Sequence, residues 1–202
     1  TGTGKTISLL VLAEGFSRMG VLVFISDVKG DVAGISMPGV LNDKISQRIT
    51  QIGIEGYINE PCPAIFWDLY GKLGHPVRTT VSEMGPSLLS RILELNDIQS
   101  GTMEVAFRMA DEQGLLLLDL DDFRAVLSFM AENSKAISTQ YGLVSKQSVA
   151  AIQRTLLALE REGGKSMFGE PALELNDLLR TDLSGRGIIN ILAADQLILK
   201  PR

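Results

Sequence analysis

Thr1-Gly2-Thr3-Gly4-Lys5-Thr6 (TGTGKT), followed at once by Ile7 to Gly20 (ISLLVLAEGFSRMG) and then Val21 to Asp27 (VLVFISD), decides the fold. A phosphate-binding loop of the Walker A type reads G-x-x-x-x-G-K-[ST]. Gly4, Lys5 and Thr6 match its last three positions, and Thr1, Gly2 and Thr3 the three before them. Gly2 and Gly4 have no Cβ, so the backbone can curl and aim its N–H groups at phosphate oxygens. Lys5 would reach the β- and γ-phosphates, the Thr6 hydroxyl would take one position on Mg²⁺, and the helix beginning there would add its positive end. A glycine-rich turn that binds nothing is the competing reading. The context opposes it: Ile7, Leu10 and Val11 share one helical face, Gly20 is placed to end the helix, and VLVFISD reads as a fully buried strand ending in Asp27. Thr1 to Ile7 are therefore the candidates for nucleotide contact, with Lys5 and Thr6 as the catalytic pair.

Asp27-Val28-Lys29-Gly30-Asp31 follows that strand at its carboxyl end, where open α/β sheets bind ligands. As an isolated pentapeptide it is a polar loop turning at Gly30. Beside a phosphate loop, Asp27 and Asp31 become candidates to hold metal-bound water or to sense the γ-phosphate. Further on, NDKISQRITQI predicts a helix capped by Asn42 with Ile45, Ile49 and Ile52 on one stripe, and AIFWDL after Pro63 predicts a strand. His75, the only histidine, lies in a loop between Gly74 and Pro76, which suits a structural role. There is no second histidine or cysteine with which to build a zinc site, and no serine in a nucleophile-elbow setting.

From Pro86 to about Gly164 the pattern is helical: PSLLSRILELN with Pro86 at a helix start, then MEVAFRMADEQG, DFRAVLSFMAEN and SKQSVAAIQRTLLALEREGG. GLLLLDLDD (114–122) has two readings. It is either a metal-orienting strand of the Walker B type ending in Asp119, or an apolar linker into a helix capped by Asp121 or Asp122. GIINILAAD (187–195) returns to a buried-strand pattern. The expected organisation is an α/β core over residues 1–85, a helical insertion over 86–165, and a return to the core over 166–202.

The composition fits a globular chain, with 45% hydrophobic and 21% charged residues. A net charge of −5 gives no global attraction to nucleic acid or to an anionic membrane. Aromatic residues make up only 5%, and no dense Lys/Arg run is interleaved with them. One cysteine, Cys62, excludes an internal disulfide and fits a reducing cytoplasm. No apolar run approaches a membrane span. Beginning inside a motif and stopping at LILKPR, the chain reads as a fragment clipped at both ends.

The loop together with DVKGD, SEMGP, AIQRTLLALE and GRGIINILAAD resembles the HerA-FtsK group of P-loop ATPases, and more narrowly the bacterial HerA-like helicase-domain proteins of YjgR type, over nearly the whole chain. The resemblance implies a RecA-like α/β core with parallel strands and helical additions, ATP and Mg²⁺ as cofactors, and a homo-oligomeric, hexameric ring coupling hydrolysis to movement along DNA. It implies that Asp27, Lys29, Gly30 and Asp31 match the family's acidic loop after the second core strand. It also places the true Walker B strand and any arginine finger beyond Arg202. The alternative function is a nucleotide-dependent switch or interaction module with little turnover and no DNA substrate. As supplied, the fragment is expected to be inactive.

Overall fold

A computed structural model of the chain describes residues 4–195, which divide into two compact units. The first joins the stretch up to Asp68, Lys72–His75 and the stretch from Glu174 onward. The second is built from Leu69–Gly71 and Pro76–Leu173.

In the first unit, helix α1 (Lys5–Arg18) runs into strand β1 (Val23–Asp27). The turn between them is a Schellman motif: Gly20, at φ 78°, donates to the Ser17 carbonyl at 3.0 Å, and Val21 donates to that of Phe16 at 2.9 Å. Helix α2 (Asp43–Ile52) starts where Asn42 accepts from the Ile45 N–H at 3.0 Å and ends at Gly53 in the left-handed region. Strand β2 (Ala64–Asp68), the two-residue strand β3 (His75–Pro76), and, far along the chain, the one-turn helix α8 (Leu175–Leu178) and strand β4 (Ile189–Ala193) complete it. The sheet order is β1-β4-β2-β3, and β1 and β2 both run parallel to β4. Parallel neighbours require long crossovers, and here β4, last in the chain, lies between β1 and β2.

Register assigns the two sheet faces. Ile25, Ile191 and Phe66 stand in one row, and Val23, Ile189 and Ala64 in the row before it. These residues form the unit's core with Leu10 and Ala13 of α1. On the opposite face the Trp67 indole N–H donates to the Asn190 Oδ1 at 2.9 Å, and the Asn190 amide donates to the Leu178 carbonyl at 3.0 Å. A fully buried asparagine is thus satisfied by a side chain and a backbone group.

Two expectations are corrected here. Strand β1 is not fully buried: Phe24 is 52% exposed and Ser26 is exposed, so the strand alternates as one covered on a single face. Residues 75–76, expected in a loop, form the edge strand β3, and the His75 ring sits against Trp67 with centroids 5.9 Å apart, a packing role.

The second unit is helical: α3 (Val81–Ile92), α4 (Asp97–Glu112), α5 (Leu120–Glu132), α6 (Ser134–Tyr141) and α7 (Lys146–Arg161) surround a core that includes Leu89, Met103, Phe123, Leu127, Ile152 and Leu156. Its stem is closed by backbone pairing, with Thr79 donating to Met167 at 2.9 Å and Leu173 to Arg78 at 2.8 Å. Helix α3 starts earlier than expected. Thr80 and Glu83 form a capping box, and the chain then kinks at Gly85 (φ 70°, ψ 166°) so that Pro86 opens a second helical segment. Helix α4 likewise starts at Asp97, not at Met103, because Asn96 and Gln99 cap each other's backbone.

Residues 114–122 do not form a strand. Asp119 is itself the N-cap of α5, its Oδ1 accepting from the Asp121 and Asp122 N–H groups at 2.9 Å each, while Asp122 reaches back to Leu118. The cap reading holds, with the cap at Asp119 and not at Asp121 or Asp122. Leu116 is 73% exposed, which a buried metal-orienting strand would not allow.

Candidate functional site

The candidate site lies in the first unit, where α1 begins and the parallel strands end. Thr1, Gly2 and Thr3 lie outside the described residues. Gly4 precedes the helix at φ 73°, ψ 13°, a left-handed conformation that glycine takes at no steric cost. Its carbonyl accepts the first helical bond from Ser8 at 2.9 Å. Lys5, Thr6 and Ile7 therefore occupy the first turn, where backbone N–H groups lack helical partners and the dipole favours anions. There is no acidic residue in that turn to compete for the positive end. Lys5 and Ile7 are exposed and Thr6 is half-buried.

Residues 27–32 bring the acidic loop to the same place. Asp27 is 6% exposed and its carboxylate is consumed by its own loop. Oδ1 accepts from the Lys29 N–H at 3.1 Å and the Gly30 N–H at 2.8 Å, and Oδ2 accepts from the Val32 N–H at 3.1 Å. Gly30, at φ 73°, supplies the left-handed residue that lets three amides converge on one side chain. Asp31 points out of this turn and is exposed, and its Oδ2 accepts from the Thr6 hydroxyl at 3.4 Å. Of the two acids singled out from sequence, Asp31 meets Thr6 and Asp27 builds the loop that carries it.

A cavity of about 330 Å³ opens beside this loop, with Phe66, Ile191 and Ala193 among its walls and Asp27, Lys29 and Asp195 around it. Ala193 stands between Asp27 and Asp68 in the strand register, and a methyl side chain there leaves the space open. Asp68, 3% exposed, repeats the device of Asp27: its Oδ2 accepts from the Lys72 and Leu73 N–H groups at 2.7 and 2.9 Å. Sequence reading missed the cavity and the role of Asp68. The available signal was the parallel between VFISD and AIFWD, two apolar strands each ending in aspartate before a glycine-containing loop.

Among the described residues, no group of three or more His, Cys, Asp or Glu side chains could hold a metal, and no helix is long and apolar enough to cross a membrane. A site with one hydroxyl and few carboxylates suits Mg²⁺, which keeps several waters and shares its shell with substrate phosphates.

No curated protein and no solved structure shows a significant match to the chain. The family profile described as "Helicase HerA-like C-terminal" matches residues 1–202, and with the mixed α/β fold and its parallel strands the chain belongs to that family.

Proposed function

We propose that the protein containing this chain binds and hydrolyses ATP and couples hydrolysis to movement along DNA in a homo-oligomeric ring, in a reducing cytoplasm. The observation that carries the ATP reading is the joining of the G-K-T signature to a helix N-terminus with no acid in its first turn, opposite the loop of Asp31. Thr1 to Ile7 would wrap the phosphates, with Lys5 neutralising charge on the β- and γ-groups. The Thr6 hydroxyl would hold Mg²⁺, which when bound offsets the charge that develops on the transferred phosphoryl group. The helical unit is read as an insertion in the ATPase core. The DNA and ring components rest on family membership.

Lys5→Ala in the protein containing this chain should abolish ATP hydrolysis, and an unchanged rate would overturn the assignment. A second reading, a nucleotide-dependent switch that hardly turns over, is favoured by the net charge of −5. Stimulation of ATP hydrolysis by added DNA would eliminate it.

A further inference from the structure

Thr6 and Ser8 both carry hydroxyls on the first turns of α1, and they are engaged differently. The Ser8 Oγ donates to the Gly4 carbonyl at 3.1 Å, the ordinary fate of a helical hydroxyl. The Thr6 Oγ1 instead donates to a carboxylate 25 residues away, Oδ2 of Asp31, at 3.4 Å. Both partners are held from behind. Helix α1 is seated by Leu10 and Ala13 on the sheet, and the loop of Asp31 is fixed by the three amide bonds to buried Asp27 and by Val32, which is itself in the core.

A threonine hydroxyl has one proton to give and two lone pairs to offer. With its proton committed to Asp31, its lone pairs face elsewhere, and the negative charge of Asp31 stands near the helix end that attracts phosphate. We propose that Asp31 is a positioning residue: it orients the Thr6 hydroxyl as a metal ligand and makes the site favour a nucleotide that carries its divalent cation over the bare anion. The proposal rests on the phosphate-loop reading above. It separates the two acids of DVKGD, since Asp27 acts only through the loop.

The charge argument sets the sign of the test. Removing Asp31 should weaken the cation and leave binding of metal-free ATP undiminished, because a carboxylate beside a polyphosphate repels it when no cation intervenes. The probes are ATP, in EDTA and with Mg²⁺, followed by calorimetry, and Mn²⁺ titrated into the ATP complex and followed by electron paramagnetic resonance. In the protein containing this chain, Asp31→Ala should raise the Mn²⁺ dissociation constant about tenfold, the lower end for a group that orients a ligand. ATP affinity in EDTA should hold or rise. Asp31→Asn, which keeps an acceptor oxygen, should recover part of the loss.

An equal loss of ATP affinity with and without metal would overturn the proposal. So would an unchanged Mn²⁺ constant in Asp31→Ala when Thr6→Ala raises it. Failure of the phosphate-loop reading has its own signature, ATP affinity indifferent to Lys5→Ala, and that result would remove both.

Discussion

Replacing Asp27 with alanine should cost the first unit much of its stability, whereas the same change at Asp31 should cost almost nothing. The Asp27 carboxylate accepts from Lys29, Gly30 and Val32. The Lys29 and Gly30 amides lie in a part-buried turn that water can reach, so each lost bond is worth roughly 0.5–1 kcal/mol net. The Val32 bond is buried, and an amide left there without an acceptor costs about 1–3 kcal/mol. The sum is about 2–5 kcal/mol, with no compensating contact from an alanine. Asp31 is exposed, and its truncation should stay within about 0.5 kcal/mol.

The assay can be confined to the right unit. Trp67, the only tryptophan, lies in β2 and is 8% exposed, so its fluorescence reports unfolding of the sheet. The expected result in urea is a lower midpoint for Asp27→Ala at unchanged slope. If Asp27→Ala melts with wild type, or Asp31→Ala falls as far, then the division of labour between the two acids is wrong.

Three further outcomes are expected. Gly187→Ala should destabilise the same unit by several kcal/mol, since its Cβ would sit 2.1 Å from the Val21 carbonyl oxygen, while Gly15→Ala, with nothing within 4 Å in an exposed helical turn, should stabilise it by about 0.5–1 kcal/mol; tryptophan-detected melting of both variants checks the pair. Asp182, held by the Ser184 hydroxyl and by the Arg186 and Ser184 amides, titrates at about 2. A carboxylate so depressed stabilises the fold above its ordinary range near 3.8, and that contribution is lost as pH falls toward 2, so NMR titration of Ser184→Ala should show its pKa rising toward the ordinary value. Asp119→Ala should cost the helical unit about 1–2 kcal/mol by removing the cap of α5, read from the loss of ellipticity at 222 nm on heating, and no loss would return Asp119 to other roles.

Local chemistry made much of the fold legible in sequence. Gly20 after SRM, Asn42 before DKI, and the spacing of Val149, Ile152 and Leu156 each name their element through a mechanism confined to one turn. Where the reading failed, the deciding partner was distant. The exposure of Phe24 depends on which sheet face is covered, and an apolar run carries no record of that. Glycine told a similar story. Gly74 is required because a Cβ there would meet the Phe66 carbonyl oxygen at 2.5 Å, and Gly187 because the chain passes Val21, contacts invisible in GKLGHP or GRGI alone. The capping boxes at Thr80–Glu83 and Asn96–Gln99 are readable in sequence, but for α3 Pro86 is itself a helix-start signal and marks the second segment after the Gly85 kink, not the first turn.

Acidic residues show the same limit where it bears on function. Asp27, Asp68 and Asp119 each follow an apolar run, the pattern that suggests a metal-orienting acid, and each instead spends its carboxylate on neighbouring backbone amides. A carboxylate engaged in this way has fewer lone pairs to give a cation, and for Asp27 and Asp68 burial adds the cost of turning away from amides that would stay unpaired. Asp31 follows no apolar run, stands exposed, and is the acid whose oxygen meets the Thr6 hydroxyl. The buried aspartates at the ends of β1 and β2 brace the loops that follow them, and Ala193 stands between the two in the strand register beside the cavity. Thr6 and Asp31 thus meet at the start of α1, with Asp27 and Asp68 bracing the loops beside them, and the proposed phosphate chemistry is assigned to Lys5, Thr6 and Asp31 on that placement.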